Sequence, residues 1–194
     1  LHIIFAFSSD RRAQRLAAGR VRAMSARNLF FGLALATSQG VLAQALPEFD
    51  LKATYAYNFA VLTQWPPATR ASFNFCVYGD DGVAEAMRRL QGKSVHGRSV
   101  AVARLGALTA IRDCDLLYVG RDEAPSLPHI AALLGDAPVL TVTDATQPQP
   151  VAVVIVPEGR RLAFEIDVER SRRAGLKPSA ALLGLARNLR QPLN

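Results

Sequence analysis

The chain has 194 residues, half of them apolar, which is enough for one ordinary domain with a substantial core. Its formal net charge of +7 is unevenly distributed: residues 1–45 contain six arginines and one acidic residue, Asp10, whereas residues 46–194 contain 17 basic and 15 acidic residues. Because the basic excess is confined to the N-terminal part, the composition argues against a nucleic-acid partner.

The N-terminal segment has the features of an export signal. A basic start at Met24 and Arg27 precedes an apolar run at 29–36, which is too short to span a bilayer, and Ala43-Gln44-Ala45 matches a signal-peptidase site. An amphipathic N-terminal helix is the alternative, but the order of the features favours export. The predicted organisation is a mis-called upstream extension at 1–23, a signal peptide at 24–45 and a single domain at 46–194.

The first predicted element of the domain is an amphipathic helix over 50–65. Asp50 can cap it, and Leu51, Tyr55, Phe59 and Leu62 fall on one face. Trp65 ends the helix because Pro66-Pro67 forbids its continuation. We expect the aromatic stripe to pack on a sheet and Trp65 to anchor the turn, rather than to be exposed for a partner.

The segment SFNFCVYGDDG, at 72–82, predicts a buried strand over 73–78, a turn at 79–82 and a helix over 83–90. Similar patterns follow along the chain. They predict an edge segment at 94–98, strands at 99–105, 115–120 and 139–143, and an antiparallel hairpin of strands 151–156 and 162–166. They also predict a helical turn at 107–111, a helix at 128–134 and a helix at 168–174 that Gly175 stops. A last helix is capped by Ser179, and its apolar stripe consists of Leu182, Leu183, Ala186 and Leu189.

This alternation of strands and helices predicts an α/β fold. We expect a three-layer sandwich with a mixed, mostly parallel sheet and helices on both faces. The sequence shows no repeats and no internal linker.

The two cysteines of the mature domain are predicted to form a disulfide. Cys76 lies in the first buried strand, and Cys114 stands just before a strand expected to neighbour it. In an oxidising compartment such a pair would be bonded; two buried thiols are the alternative. The cysteines, His96 and His129 show no metal-ligand spacing, so we expect no zinc site.

Several acidic residues follow predicted strands: Asp80 and Asp81 the first, Asp122 a later one and Asp144 a third. Groups just past the strand ends of an open parallel sheet converge on the usual ligand crevice, where carboxylates can hold Mg²⁺ or Ca²⁺. The alternative, which we favour, is that each caps or solvates its own loop. The turn after the first strand lacks the glycine-rich motifs that bind nucleotide phosphates.

The sequence contains no recognisable catalytic motif. There is no GxSxG elbow, no HExxH motif and no cysteine with an evident histidine partner. We therefore expect a binding protein rather than an enzyme, with no cofactor.

An ordered set of short motifs runs through residues 50–190: LKATYAYNF (51–59), Trp65-Pro66, FCVYGD (75–80), Gly92-Lys93, Gly97-Arg98, CDLLYV (114–119), LTVTD (140–144), FEID (164–167), GLKPS (175–179) and LLGLA (182–186). Together these motifs resemble the YfiR/HmsC family of periplasmic proteins. In this chain Asp167 stands where the family usually has Asn, and the second cysteine pair of some members is missing.

The resemblance implies an α/β sandwich and a role as a periplasmic repressor. The implied partners are the periplasmic sensor domain of an inner-membrane diguanylate cyclase and an outer-membrane lipoprotein of the YfiB type that sequesters the repressor. Repression would lower cyclic di-GMP and biofilm formation. The charged segment 169–173 is one candidate contact surface, although a solvated helix face is the better explanation of it, and a homodimer is left open. The rival hypothesis is a periplasmic small-molecule or divalent-cation binding module that uses the acidic strand ends.

Overall fold

The computed structural model describes residues 47–67, 70–159 and 161–190. The predicted extension and signal peptide lie outside these ranges. The α-helices are α1 (Glu48–Val61), α2 (Asp81–Arg88), α3 (Leu127–Leu134), α4 (Val168–Arg173) and α5 (Ala180–Leu185), and 3-10 helices span Leu108–Asp113 and Arg121–Ser126. The strands are β1 (Thr63–Gln64), β2 (Ser72–Tyr78), β3 (Ser94–Val95), β4 (Arg98–Leu105), β5 (Leu116–Val119), β6 (Leu140–Thr143), β7 (Val153–Glu158), β8 (Arg161–Asp167), β9 (Lys177–Pro178) and β10 (Asn188–Arg190).

The described strands form a mixed sheet in the order β10-β8-β7-β6-β5-β2-β4-β3, and β1 pairs separately with β9. Strands β4, β2, β5, β6 and β7 run parallel to one another. Strand β8 returns antiparallel to β7, which confirms the predicted hairpin, and β10 pairs with β8 in parallel. The short β3 lies antiparallel on the far edge, where the edge segment was predicted.

Helices cover both faces of this sheet because successive side chains of its central strands point to opposite sides. In β2, Phe75 and Val77 belong to one apolar cluster with α1 and α2, whereas Cys76 belongs to a second cluster with α3. In β5, Tyr118 faces the first cluster and Leu117 the second. The predicted three-layer α/β architecture is therefore confirmed.

Helices α1 and α5 depart most from their predicted bounds, and α2 spans Asp81–Arg88 instead of the predicted 83–90. Helix α1 begins at Glu48, after Pro47, and ends at Val61, so Asp50 lies in its first turn and does not cap it. The chain then leaves the helix early because Thr63 and Gln64 pair with β9. Trp65 follows this strand, half-buried, with its ring 4.9 Å from that of Phe73 in an edge-to-face arrangement.

The buried face of α1 is also rotated from the predicted stripe. Phe59 is fully buried, but Leu51, Tyr55 and Leu62 are only half-buried. The residues that α1 buries are Lys52, Ala53, Ala56, Phe59 and Ala60. Ala53, Ala56 and Ala60 have small side chains that let the helix lie close to the sheet. Hydrophobic periodicity favours large apolar residues and therefore did not identify this face.

The last predicted helix is shorter than expected. Ser179 caps α5 as predicted, its hydroxyl accepting a hydrogen bond from the Leu182 amide at 3.2 Å, but the helix ends at Leu185. Leu189 lies instead in β10 and is exposed. The exposed edge of β8 explains the change, because it offers backbone partners such as the Phe164 carbonyl, which accepts from the Arg187 amide at 2.9 Å.

The two cysteines form the predicted disulfide. Cys76 in β2 and Cys114, two residues before β5, have Cα atoms 5.8 Å apart. The bond joins parallel neighbours in the centre of the sheet, within the second apolar cluster.

None of the helices in the described ranges combines the length and the apolar character needed to cross a membrane.

Candidate functional site

The candidate site is a crevice at the carboxyl ends of the parallel strands. Strand β2 continues into α2 on one face of the sheet, whereas its neighbour β5 continues through a 3-10 helix into α3 on the other face. The two connections leave adjacent strands in opposite directions, and open α/β sheets bind ligands at such a switch point. The strand ends stay close there because the Gly120 amide donates to the Tyr78 carbonyl at 2.8 Å.

Two adjoining cavities make up the crevice, with volumes of about 430 and 540 Å³. Both are within the range of about 300–1,000 Å³ that small-molecule sites occupy. The first extends toward the β7–β8 hairpin and has an apolar wall, and the second extends over the ends of β2 and β5. The cavities share Glu48, Lys52, Arg121 and Asp144.

A buried ion pair forms the floor of the crevice. Lys52 of α1 and Asp144, which follows β6, are 4% and 3% exposed, and Lys52 Nζ lies 2.7 Å from Asp144 Oδ2. The same ammonium group lies 2.7 Å from Glu48 Oε1, one helical turn earlier. The exposed Arg121 reaches Asp144 Oδ2 at 3.3 Å from the crevice mouth.

The carboxylates keep Lys52 charged. Burial alone would lower the pKa of Lys52, but the hydrogen bonds and charges of Asp144 and Glu48 outweigh burial and raise it above its ordinary value. Lys52 is therefore a fixed positive charge at neutral pH, and it does not act there as a proton acceptor.

The Tyr118 side chain of β5 lies close to Asp144 and is fully buried, so it does not line the crevice. Burial, with the charges of Asp144 and Asp80, raises the pKa of its hydroxyl far above the ordinary value, and the Asp144 carboxylate is a hydrogen-bond acceptor within its reach. The hydroxyl therefore remains protonated. Neither this hydroxyl nor Asp144 Oδ1 makes a well-oriented hydrogen bond among the described residues, and both atoms are shielded from solvent.

All four acidic residues predicted after the strands line this crevice. Asp80 caps α2, its Oδ1 accepting from the Val83 amide at 2.9 Å. Asp81 forms an exposed ion pair with Arg104, and Asp122 is exposed in the first turn of a 3-10 helix. Asp144 is the buried partner of Lys52. The expectation that strand-end groups converge is therefore met, and two of the four have the local roles considered as the alternative.

The crevice does not have the composition of a typical cation site. Three basic groups, Lys52, Arg104 and Arg121, lie among the carboxylates. Within 47–67, 70–159 and 161–190, no three His, Cys, Asp or Glu side chains are grouped so that they could hold a metal ion. Binding of a divalent cation here stays a prediction.

Sequence reasoning missed Lys52, Arg121 and Tyr118. A signal for Lys52 was present: positions 52, 56 and 59 share a helix face, so a lysine there accompanies the fully buried Ala56 and Phe59. A buried lysine requires a carboxylate partner. That its partner is 92 residues away depends on the strand order, which local patterns do not reveal.

A second buried carboxylate lies at the opposite, amino ends of the strands. Asp115 is 3% exposed; its Oδ2 accepts from the Asn74 amide and from Arg98 Nη2, both at 2.7 Å. The Arg98 guanidinium also lies 5.0 Å from the Phe73 ring. These contacts, next to the disulfide, join β2, β4 and β5 and are structural.

The crevice has the means to bind a small polar molecule. Both signs of charge line it close together: Arg121 and Arg104 on one hand, and the carboxylates of Asp81 and Asp122 on the other.

A search of curated proteins finds no match to this chain. A family model described as YfiR/HmsC-like matches residues 49–187, from the first turn of α1 to just before β10. The chain belongs to the YfiR/HmsC-like family.

Proposed function

We propose that the chain is a periplasmic repressor that binds the periplasmic sensor domain of an inner-membrane diguanylate cyclase. Repression would lower cyclic di-GMP and biofilm formation. The observation that carries the proposal is the family match over residues 49–187, and family membership supports a regulatory rather than a catalytic role.

The disulfide supports the proposed location. Disulfides persist in oxidising compartments such as the bacterial periplasm and are rare in the cytosol. The Cys76–Cys114 bond lies at the centre of the sheet and is buried, as expected of a bond formed during folding after export.

Helix α4 is one candidate contact surface for the cyclase. Arg172 donates to both carboxylate oxygens of Glu169, at 2.7 and 2.9 Å, while Ser171 between them is buried. Because Ser171 is buried, one side of the helix is fixed to the domain, and the paired side chains of Glu169 and Arg172 lie on its exposed side. An outer-membrane lipoprotein of the YfiB type would relieve repression by sequestering the protein, and a homodimer is compatible with the same role.

Deletion of the gene tests the proposal. In a strain that has the cognate cyclase, the deletion should raise intracellular cyclic di-GMP and surface attachment, and a plasmid copy of the wild-type gene should restore both. The matched control is a strain that lacks the cyclase as well, where the deletion should change neither. Unchanged cyclic di-GMP in the first strain would contradict the proposal.

The crevice supports a second candidate function, the binding of a small molecule or divalent cation. The specific observation is the buried ion pair of Lys52 and Asp144 on the floor of an open crevice, with Arg121 at its mouth. A ligand stabilises the state that it binds, so thermal-shift screening with Mg²⁺, Ca²⁺ and small polar molecules should show saturable stabilisation. The variant Arg121→Gln, at the exposed mouth, removes a positive charge, so it should weaken stabilisation by an anionic molecule and leave unchanged or strengthen stabilisation by Mg²⁺ or Ca²⁺. Stabilisation by an anionic molecule that persists unchanged in this variant would place that ligand outside the crevice.

A further inference from the structure

A separate cavity lies at the amino ends of β6 and β7, opposite the crevice. Its volume is about 220 Å³, and its walls come from the end of α3, the loops before the two strands, and α4. Arg170 and Arg173 of α4 line it. Arg190 of β10 holds the loop beside it, donating to the Gln149 carbonyl at 2.8 Å and the Val151 carbonyl at 3.4 Å.

The three arginines have no carboxylate partner within the part of the chain that the structure describes. Arg172, on the same helix, does have one, Glu169. The Nε of Arg170 is buried and has no hydrogen-bond partner among the described residues. A buried donor without an acceptor reduces the free energy of unfolding, so the Arg170 Nε–H is a candidate to donate a hydrogen bond to a bound ligand.

Positive charge accumulates around Arg170. Burial is the main cause that lowers the pKa of Arg170; the charge of Asp167 opposes it, and the smaller effects of Arg173 and Arg190 lower it further. Asp167 uses its Oδ1 to accept from the Arg170 backbone amide, at the cap of α4. The other nearby carboxylate, Asp136, lines the cavity and would oppose an anion.

Size and chemistry restrict the ligand. A cavity of 220 Å³ is smaller than the roughly 300–1,000 Å³ of sites for drug-sized ligands, so it suits a small ion or a single chemical group. Guanidinium groups bind oxyanions through paired N–H donors, which makes them suited to phosphate and sulfate. The carboxyl end of α3 also faces the cavity and disfavours anions, so binding there depends on the arginines themselves.

We propose that Arg170 and Arg173 form a binding site for a tetrahedral oxyanion, phosphate or sulfate, either free or as the phosphoryl group of a small monoester. Arg190 lies outside the cavity lining and adds positive charge nearby. The proposal is independent of the repressor function. It adds a ligand site at the strand ends opposite the crevice, beside the helix that is a candidate contact surface.

The test is binding of inorganic phosphate and sulfate to the purified mature protein, by calorimetry and thermal shift at constant ionic strength with chloride as the reference ion. Arg170→Gln and Arg173→Gln should each weaken binding about tenfold or more, since each removes a charge-assisted hydrogen bond. The matched control is Arg172→Gln, on the same helix and of the same charge change, which should bind like the wild type. Arg173 is exposed, so its variant keeps the test valid even where Arg170→Gln fails to fold.

The outcomes separate the sources of the ligand. Equal affinity for phosphate and glycerol 3-phosphate indicates that the free ion is the ligand, and tighter binding of the monoester indicates a phosphoryl group on a larger molecule. The proposal is overturned by stabilisation that chloride reproduces, by equal losses in Arg172→Gln and Arg173→Gln, or by the absence of saturable phosphate and sulfate binding at millimolar concentration.

Discussion

At the scale of single residues, the most consequential feature is the buried pair of Lys52 and Asp144. Removing two charges from water is costly, and their attraction repays that cost only with good geometry and additional hydrogen bonds. Lys52 has both carboxylates at 2.7 Å, so its charge is well compensated. Asp144 retains one unpartnered oxygen, so it is the less satisfied member.

Replacing Lys52 alone should therefore be strongly destabilising. Lys52→Met leaves Asp144 buried with only the 3.3 Å contact to Arg121, and we expect a loss of about 3–5 kcal/mol in the free energy of unfolding. Urea denaturation followed by circular dichroism measures it. Arg88→Met, which breaks an exposed ion pair with Glu85, is the control and should cost less than about 1 kcal/mol.

Coupling between the two residues provides the stricter check. The double variant Lys52→Met with Asp144→Asn removes both charges, so it should be more stable than Lys52→Met alone. A loss that simply adds in the double variant, or a cost for Lys52→Met as small as the control's, would show that the pair does not act as a unit.

The two long-range pairings of single residues, Cys76 with Cys114 and Lys52 with Asp144, differ in how well the sequence predicts them. The pairing of Cys76 with Cys114 was predictable because only two cysteines remain after residue 45 and both lie near strands that neighbour each other. The pairing of Lys52 with Asp144 was not, because any of several strand-end carboxylates could have met the lysine. The strand order decides which one does.

At the scale of elements, the central strands were predictable and the edge pairings were not. β2, β5 and β6 are rich in aromatic, β-branched or leucine residues, and β5 and β6 are buried on both faces as expected of central strands. By contrast, β1, β9 and β10 are two or three residues long and form because a partner backbone is available. Such segments carry no local signal.

The approach of β2 and β5 at the crevice depends on two glycines. Gly79 has φ of +76°, in the left-handed region, and a Cβ there would meet Glu123 Cγ at 2.0 Å. Gly120 has φ of −61°, which any residue adopts, so its requirement is purely one of space. A Cβ on Gly120 would lie 2.7 Å from the Gly79 carbonyl oxygen.

Gly120→Ala should consequently force the two strand ends apart. We expect a loss of about 1–3 kcal/mol, typical of overpacking, in the free energy of unfolding by urea. The control is Gly184→Ala in α5, where a Cβ meets nothing within 4 Å. Because glycine weakens a helix interior, that substitution should be neutral or stabilise by up to about 1 kcal/mol. Equal stability of the two variants would contradict the close approach.

At the scale of the whole molecule, one sheet separates two apolar clusters. The first contains the aromatic residues of α1, β2 and β8, and the second contains the disulfide with α3 and the end of β7. Strands β2, β5 and β7 contribute side chains to both. We therefore expect the domain to unfold as one cooperative unit, as most single domains of this size do.

Removing the disulfide, which lies in the second cluster, and following unfolding in the first cluster tests whether the two faces of the sheet unfold together. Its cysteines are 38 positions apart, and chain entropy predicts a stabilisation of about 4 kcal/mol for a loop of that length. Cys76→Ser, Cys114→Ser and the double variant should therefore each lose a similar amount. Trp65, the single tryptophan, packs on Phe73 in the first cluster and reports on the opposite face.

We expect the urea midpoint from Trp65 fluorescence to fall in all three cysteine variants, by the same amount as the midpoint from far-UV circular dichroism. Loss of the cross-link raises the entropy of the unfolded chain, so the whole native state is destabilised rather than the second cluster alone. Strongly additive losses in the double variant would mean that the cysteines act separately, as buried apolar groups. A fluorescence midpoint that stays at the wild-type value while the circular dichroism midpoint falls would show that the two faces unfold independently.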